Sequence, residues 1–243
     1  MTAYAIFHLL GPMQGWGGIA VGETRAGEHH PTKSGVLGLV AAALGITREE
    51  ENAHQQLHRD LGFAVRILHG GEPLRDYHTA QVPGERRGIH HTTRAAELAQ
   101  PKLNTILSTR EYRVDAWYAV ALWARGDMDL QKIITAFKHP SFVLYLGRKS
   151  CPPALPVVPR LIEADNLGRA FHEFMAQEAD LLPKPYKDPT KWEKAVYYEG
   201  EGEGIAFRGA TPRYDLPHAR RSWTFLPRQE SHGRLSPDDK EEP

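Results

Sequence analysis

Three glycine-punctuated apolar runs carry cations at fixed points: LLGPMQGWGG near the start, TKSGVLGLVAAALG from Thr32 to Gly45, and LYLGRKSCPP ending at Pro153. Glycine lets a backbone approach another chain closely, and lysine or arginine beside it neutralises phosphate, so RNA is the first partner to test. Lys33-Ser34 resembles the close of a phosphate-binding P-loop, but Glu28 to Thr32 before it lack the GxxxxGK spacing, which rejects nucleotide hydrolysis. What remains is a helix start whose free N–H groups, with Lys33 and nearby hydroxyls, form an anion site. An ordinary capped helix with a solvated lysine fits the same residues.

Other reactive side chains are weighed the same way. Thirteen histidines include His29-His30, His78 and His90-His91, but adjacent imidazoles diverge and no HExxH pair is present, so no metal or other cofactor is expected. Tyr77, His78 and Lys102 could supply acid and base to a metal-independent ribonuclease, although all lie in a polar stretch where such residues are common. Cys151 is the single cysteine; it follows Arg148-Lys149-Ser150 and reads as a buried structural thiol. Asp115 interrupts an apolar run and needs either Arg25, Arg113 or Arg148 as partner or an exposed edge. Arg86, Arg87, Arg94, Lys102 and Arg110 cluster with His90 and His91, and Arg148-Lys149 and Arg220-Arg221 form two smaller groups. Acid gathers elsewhere, at Glu49–Glu51, Glu199–Glu203 and the C-terminal end, and this segregation favours a phosphate-tracking groove.

The elements that must position these residues fit one core with a smaller satellite, since 243 residues are 41% hydrophobic. Thirty basic and thirty acidic residues balance, so any RNA site is a local patch. No segment approaches the roughly 20 apolar residues that span a bilayer, and the N-terminus lacks a basic leader, so a cytoplasmic chain without membrane contact is expected. The pattern predicts a strand at Ala3–Leu10, a helix capped by Thr32 and Gly45, and a second helix opened by Thr47 and Glu50. A strand follows at Phe63–Leu68. From Asp76 to Arg110 the pattern dissolves into an insertion of about 35 residues, far beyond an ordinary loop. Beyond it come a strand over Tyr112–Ala124, a helix near Asp129–Phe137 and a short strand at Val143–Leu146. This order is a split βαβ, predicting an α+β, ferredoxin-like core like that of the RNA-recognition motif. The expected division is a core over 1–151, including an arm at 76–110, an appended β-rich region over 152–227, and a disordered tail over 228–243.

Seven collinear blocks carry a resemblance: LLGPMQGWG; ETR at Glu23–Arg25; PTKSGVLGLVAAALGI; FAVR at Phe63–Arg66; RDYHT at Arg75–Thr79; REYRVDAWYAVALW at Arg110–Trp123; and YLGRKSCPP. Together they resemble the CasD subunits of Cascade, the type I-E CRISPR surveillance complex, within the RAMP superfamily of RNA-binding proteins. The resemblance covers about residues 4–155, fades to an echo in RYDLP and RRSWTFLPR, and says nothing of 160–200. It implies a structural, non-cleaving subunit that binds the 5′ handle of CRISPR RNA and caps the backbone of the complex. The alternative is a CRISPR-repeat endoribonuclease of the same fold. Implied partners are CRISPR RNA, the backbone RAMP subunit and the large subunit, with target DNA reached only through the complex. The handle is expected on Gln14, Trp16, Arg25, Lys33, Ser34, Gly147, Arg148 and Lys149, with Gly11, Gly35 and Gly147 admitting a close backbone and Trp16 stacking on a splayed base. The arm, with Arg86, Arg87, His90, His91 and Arg94, is expected to reach over the guide RNA to a neighbouring subunit.

Overall fold

A computed structural model describes residues 1–20, 22–84, 88, 90–178, 187–219 and 224–237. Strands β1 (Thr2–Leu10), β4 (Leu61–His69), β7 (Trp117–Ala124) and β8 (Arg160–Ala164) stand side by side in the order β8-β1-β7-β4, every neighbouring pair antiparallel. Helices α1 (Lys33–Leu44) and α2 (Glu51–Asp60) link β1 to β4, and α4 (Leu130–Lys138) lies between β7 and β8. Beyond β4 the same sheet continues through β9 (Ala195–Tyr198), β11 (Thr224–Leu235) and β10 (Ile205–Ala219).

The central strands alternate between two apolar faces. Ala5, Phe7 and Leu9 of β1, Phe63, Val65 and Ile67 of β4, and Tyr118, Val120 and Leu122 of β7 pack with the stripes of α1 and α4. The alternate residues, among them Ile6, Ala64, Trp117 and Ala119, meet a second layer supplied by α5 (Leu167–Glu178). Burial on both faces explains why these strands read as nearly continuous apolar runs. Each fully buried side chain of this size contributes about 1.5–3 kcal/mol.

Local signals place the helices. Thr32 accepts from the Gly35 N–H at 3.2 Å, Gly45 is left-handed at φ 77°, and Asp129 caps α4. Glu50 accepts the Thr47 N–H at 2.7 Å, the reach-back bond of the expected capping pair, and the regular turns of α2 begin at Glu51.

Three expectations need correction. Val143–Leu146 forms no strand; β8 takes the fourth place in the core order, so the sheet runs across the expected boundary at residue 151. The tail expected from Arg228 onward is ordered to Leu235, because β11 pairs with both β10 and β9. The arm is a hairpin of β5 (Glu72–Pro83) and β6 (Leu103–Val114), with short helix α3 (Arg94–Leu98) between them. At its root, β6 also pairs with β2 (Met13–Gln14) and, in parallel, with β3 (Thr24–Arg25). Few residues of the hairpin are buried and polar ones dominate, so its alternation carries no apolar signal. Among the described residues no helix is long and apolar enough to cross a membrane.

Candidate nucleic-acid interface

Four segments enclose a groove of about 570 Å³. Gly35, Gly38, Leu39 and Ala42 of α1 form its floor, the loop Gly15–Ala20 one wall, and Val143–Tyr145 with Gly147 the other. Pro217 and Phe225, near the turn of the β10–β11 ribbon, close one end. A Cβ at Gly38 would meet nothing within 4 Å. A mid-helix glycine costs about 1 kcal/mol relative to alanine, so here that cost clears the groove floor rather than an internal clash.

Beside the groove, Arg148 lies across Gly15, with its guanidinium 4.5 Å from the Tyr112 ring centre. It donates to the carbonyls of Glu111 at 3.0 Å and Arg25 at 3.4 Å. These bonds hold the side chain without neutralising it. Arg25 is exposed and donates to the Gly22 carbonyl, and its register partner on β6 is Arg110. Among the described residues none of Arg25, Arg110, Arg148 and Lys149 is ion-paired with a carboxylate. The arm root thus presents four cations that no described carboxylate contacts, among acids that include Asp76, the register partner of Arg110.

Other expected handle residues face inward. Lys33 is 2% exposed, and its Nζ pairs with Glu199 at 2.8 Å and donates to the His58 carbonyl at 3.1 Å. Burial pulls its pKa below the ordinary lysine value, opposed by the Glu199 charge and hydrogen bond. The α1 N-terminus is no open anion site: the Lys33 N–H donates to Asp215 at 2.9 Å, and Thr32 takes the Gly35 N–H. Gln14 is fully buried, donates to the carbonyls of Leu9 and Ala116, and accepts from Trp16 Nε1 at 2.8 Å. Trp16 is 2% exposed, so it cannot stack broadly on a splayed base. Ser34 lies on the groove wall. Gly11, Gly35 and Gly147 do serve close approaches, but to this chain itself. A Cβ on them would meet Pro152 O, the Trp16 ring and Gly15 O respectively, and Gly147 is left-handed at φ 83°.

Lys33 joins an ionic network unannounced by sequence. Arg228 bridges Asp215 at 2.6 Å, Glu230 at 2.7 Å and, at 3.6 Å, Glu199, with Arg213 reaching Glu28 and Glu230. Burial alone would raise the Glu230 carboxyl, but His30 and Arg228 hold it down at about 2. The network ties β10 and β11 to the start of α1.

On the arm, Arg94 pairs with Glu97 at 2.6 Å and donates to the Gln81 carbonyl; His90 is exposed and His91 partly so. Arg86 and Arg87 lie outside the described residues, as do Arg220 and Arg221. Tyr77 is exposed, and His78 sits 3.5 Å from Asp76. Register places Tyr77 opposite Thr109, whereas Lys102 precedes the start of β6. At about 3.3 Å per residue, roughly 20 Å separates Lys102 from the other two, so the three form no acid–base set. Cys151 is buried and its pKa is raised by desolvation. Asp115 is exposed at a left-handed turn between β6 and β7, and His69 contacts its carbonyl at 3.0 Å. His54 and His58, four residues apart on α2, both face inward, and His54 contacts the Thr47 carbonyl.

Residues 5–225 match the family model described as CRISPR-associated protein (Cas_Cas5). The chain is 34% identical over 186 residues to the CRISPR system Cascade subunit CasD of Escherichia coli K12, a match covering 74% of this chain and 81% of that protein. It is also similar to a chain of a solved CRISPR RNA-guided surveillance complex, with TM-score 0.63, 25% identity and coverage of 96% and 91%. A crystal structure of a Cas protein matches at TM-score 0.56 and 25% identity, covering 97% of this chain and 98% of that one.

Proposed function

Since the chain belongs to the Cas5 family of CRISPR-associated proteins, we propose that it is a structural, RNA-binding subunit of a Cascade complex. In this reading it holds the 5′ handle of CRISPR RNA and caps the backbone of the complex. The observation that carries it is the arm root. Arg25, Arg110, Arg148 and Lys149 stand there without carboxylate partners among the described residues, beside a glycine-floored groove, the combination that tracks a phosphate chain without reading its sequence. The order β8-β1-β7-β4 around two crossovers supports a ferredoxin-like core. In the assembled complex the β5–β6 hairpin reaches past this core to a backbone subunit, while target DNA is met through the guide. The scattered positions of Tyr77, His78 and Lys102 favour a non-cleaving role.

The test is co-expression with a CRISPR array and the partner subunits, followed by purification and sequencing of the bound RNA. Arg148→Gln with Lys149→Gln is expected to leave folding intact, to lower guide retention and to reduce the slope of log affinity against log salt by about 0.7 for each phosphate left without its cation. Normal guide content and an unchanged slope in that variant would remove the arm root from the handle site.

A further inference from the structure

A second cleft, of about 530 Å³, opens on the C-terminal part of the sheet and shares no lining residue with the groove. Its floor is aromatic. His232 of β11 and Tyr197 of β9 are register partners whose rings lie 6.0 Å apart and nearly parallel, and buried His30 stacks on Tyr197 at 3.9 Å. Trp192 forms a wall. A side chain at Gly209, directly opposite on β10, would collide with the His232 ring at 2.9 Å, so this glycine lets the ring lie over the ribbon.

Three exposed cations border the floor: Lys194, Arg208 and Arg234. Among the described residues none is paired with a carboxylate. Arg208 stands at a register shift in the β10–β11 ladder, where the extra residue redirects the side chain. The one acid lining the cleft, Glu193, accepts the Gly70 N–H at 2.7 Å.

We propose that this cleft is a second nucleic-acid site, binding a short single-stranded segment without sequence preference, with a base stacked on the His232–Tyr197 floor and its phosphates on Arg208, Arg234 and Lys194. Paired aromatic platforms among unneutralised cations suit bases linked by phosphates. An acidic peptide would use the cations and leave the rings idle. The inference stands apart from the handle reading, because the residues are different.

The probe is fluorescein-labelled (dT)8 carrying a 4-thiothymidine, bound to the full chain and photo-crosslinked. Crosslinks are expected on peptides containing Trp192, Tyr197 or His232, abolished in Arg208→Gln/Arg234→Gln and retained in Arg148→Gln. Anisotropy with the double variant is expected to show at least tenfold weaker binding and a salt slope smaller by about 1.4, corresponding to two phosphates. His232→Leu, which keeps bulk but not the platform, is expected to weaken binding about tenfold while leaving the slope unchanged. Crosslinks confined to the arm or groove would overturn the proposal. So would unchanged affinity in both variants, or displacement of (dT)8 by hexaglutamate as readily as by unlabelled (dT)8, which would make the cleft an acidic-peptide site.

Discussion

Lys33 shows how completely surroundings decide the role of a cation. An exposed lysine such as Lys149 contributes within about 0.5 kcal/mol to stability, whereas removing Lys33 takes the shortest ion pair from buried Glu199 and leaves it Arg125 at 3.1 Å and Arg228 at 3.6 Å, a loss of up to about 3 kcal/mol. Lys33→Ala is therefore expected to shift a urea unfolding midpoint strongly and Lys149→Ala hardly at all; equal small shifts would mean that the Glu199 pair is not buried in solution. Glu230 adds a pH dependence. Its carboxyl sits at about 2 in the fold and at about 4.3 in an unfolded chain. The fold favours the ionised form, so its contribution is complete above about pH 4.5 and fades as pH falls toward 2. Unfolding midpoints measured from pH 6 to pH 2 are expected to fall less steeply in Glu230→Gln than in the parent chain.

At the scale of elements, α5 and the arm make opposite demands. Helix α5 lays Leu167, Ala170, Phe171, Phe174 and Met175 on the second face of the sheet. Phe171→Ala is expected to cost about 3–5 kcal/mol in a denaturant titration. The β5–β6 hairpin has little apolar cover, so its amides toward Pro83 and Leu103 are expected to exchange with deuterium well before those of β4 and β7 in the free chain, and to become protected on assembly. Equal protection in both states would mean that the arm packs on its own core. Where apolar spacing and caps coincide, as in α1, α4, β1 and β4, the elements were legible from sequence. Helix α5 was not read, because it follows the prolines from Pro152 to Pro159 in a stretch expected to be β-rich. The arm strands were not, because alternation without burial looks like polar loop. The start of β11 falls within the expected β-rich region, but its continuation past Arg228 was missed, because Arg228 and Glu230 read as solvated charge and only distant partners such as Asp215 and His30 make them interior residues. The residues proposed for the handle divide likewise. Arg148 and Arg25 have no carboxylate partner among the described residues, whereas nothing local in TKSG tells that Asp215 and Glu199 cover Lys33 from far along the chain.

At the scale of the molecule, the C-terminal strands are structural partners of the first helix as much as an extension of the sheet. A chain ending at Lys194 would keep β1, β4, β7 and β8 but strand Lys33 and expose the edge of β4. It is expected to elute from gel filtration as aggregate rather than as a compact monomer. A stable, two-state 1–194 fragment would show that the ionic network is dispensable.

The hydrogen bond from the Lys33 N–H to Asp215 spans 182 residues of sequence. At ribosomal rates of about 5–20 residues per second, roughly 10–40 seconds separate the emergence of the two partners. Throughout that interval the nascent α1 carries an unanswered ammonium group and an uncovered N-terminus, and the groove it floors lacks the end supplied by Pro217 and Phe225. The groove is thus completed only once β10 and β11 are made, so under the proposed function a guide would settle fully only after their synthesis.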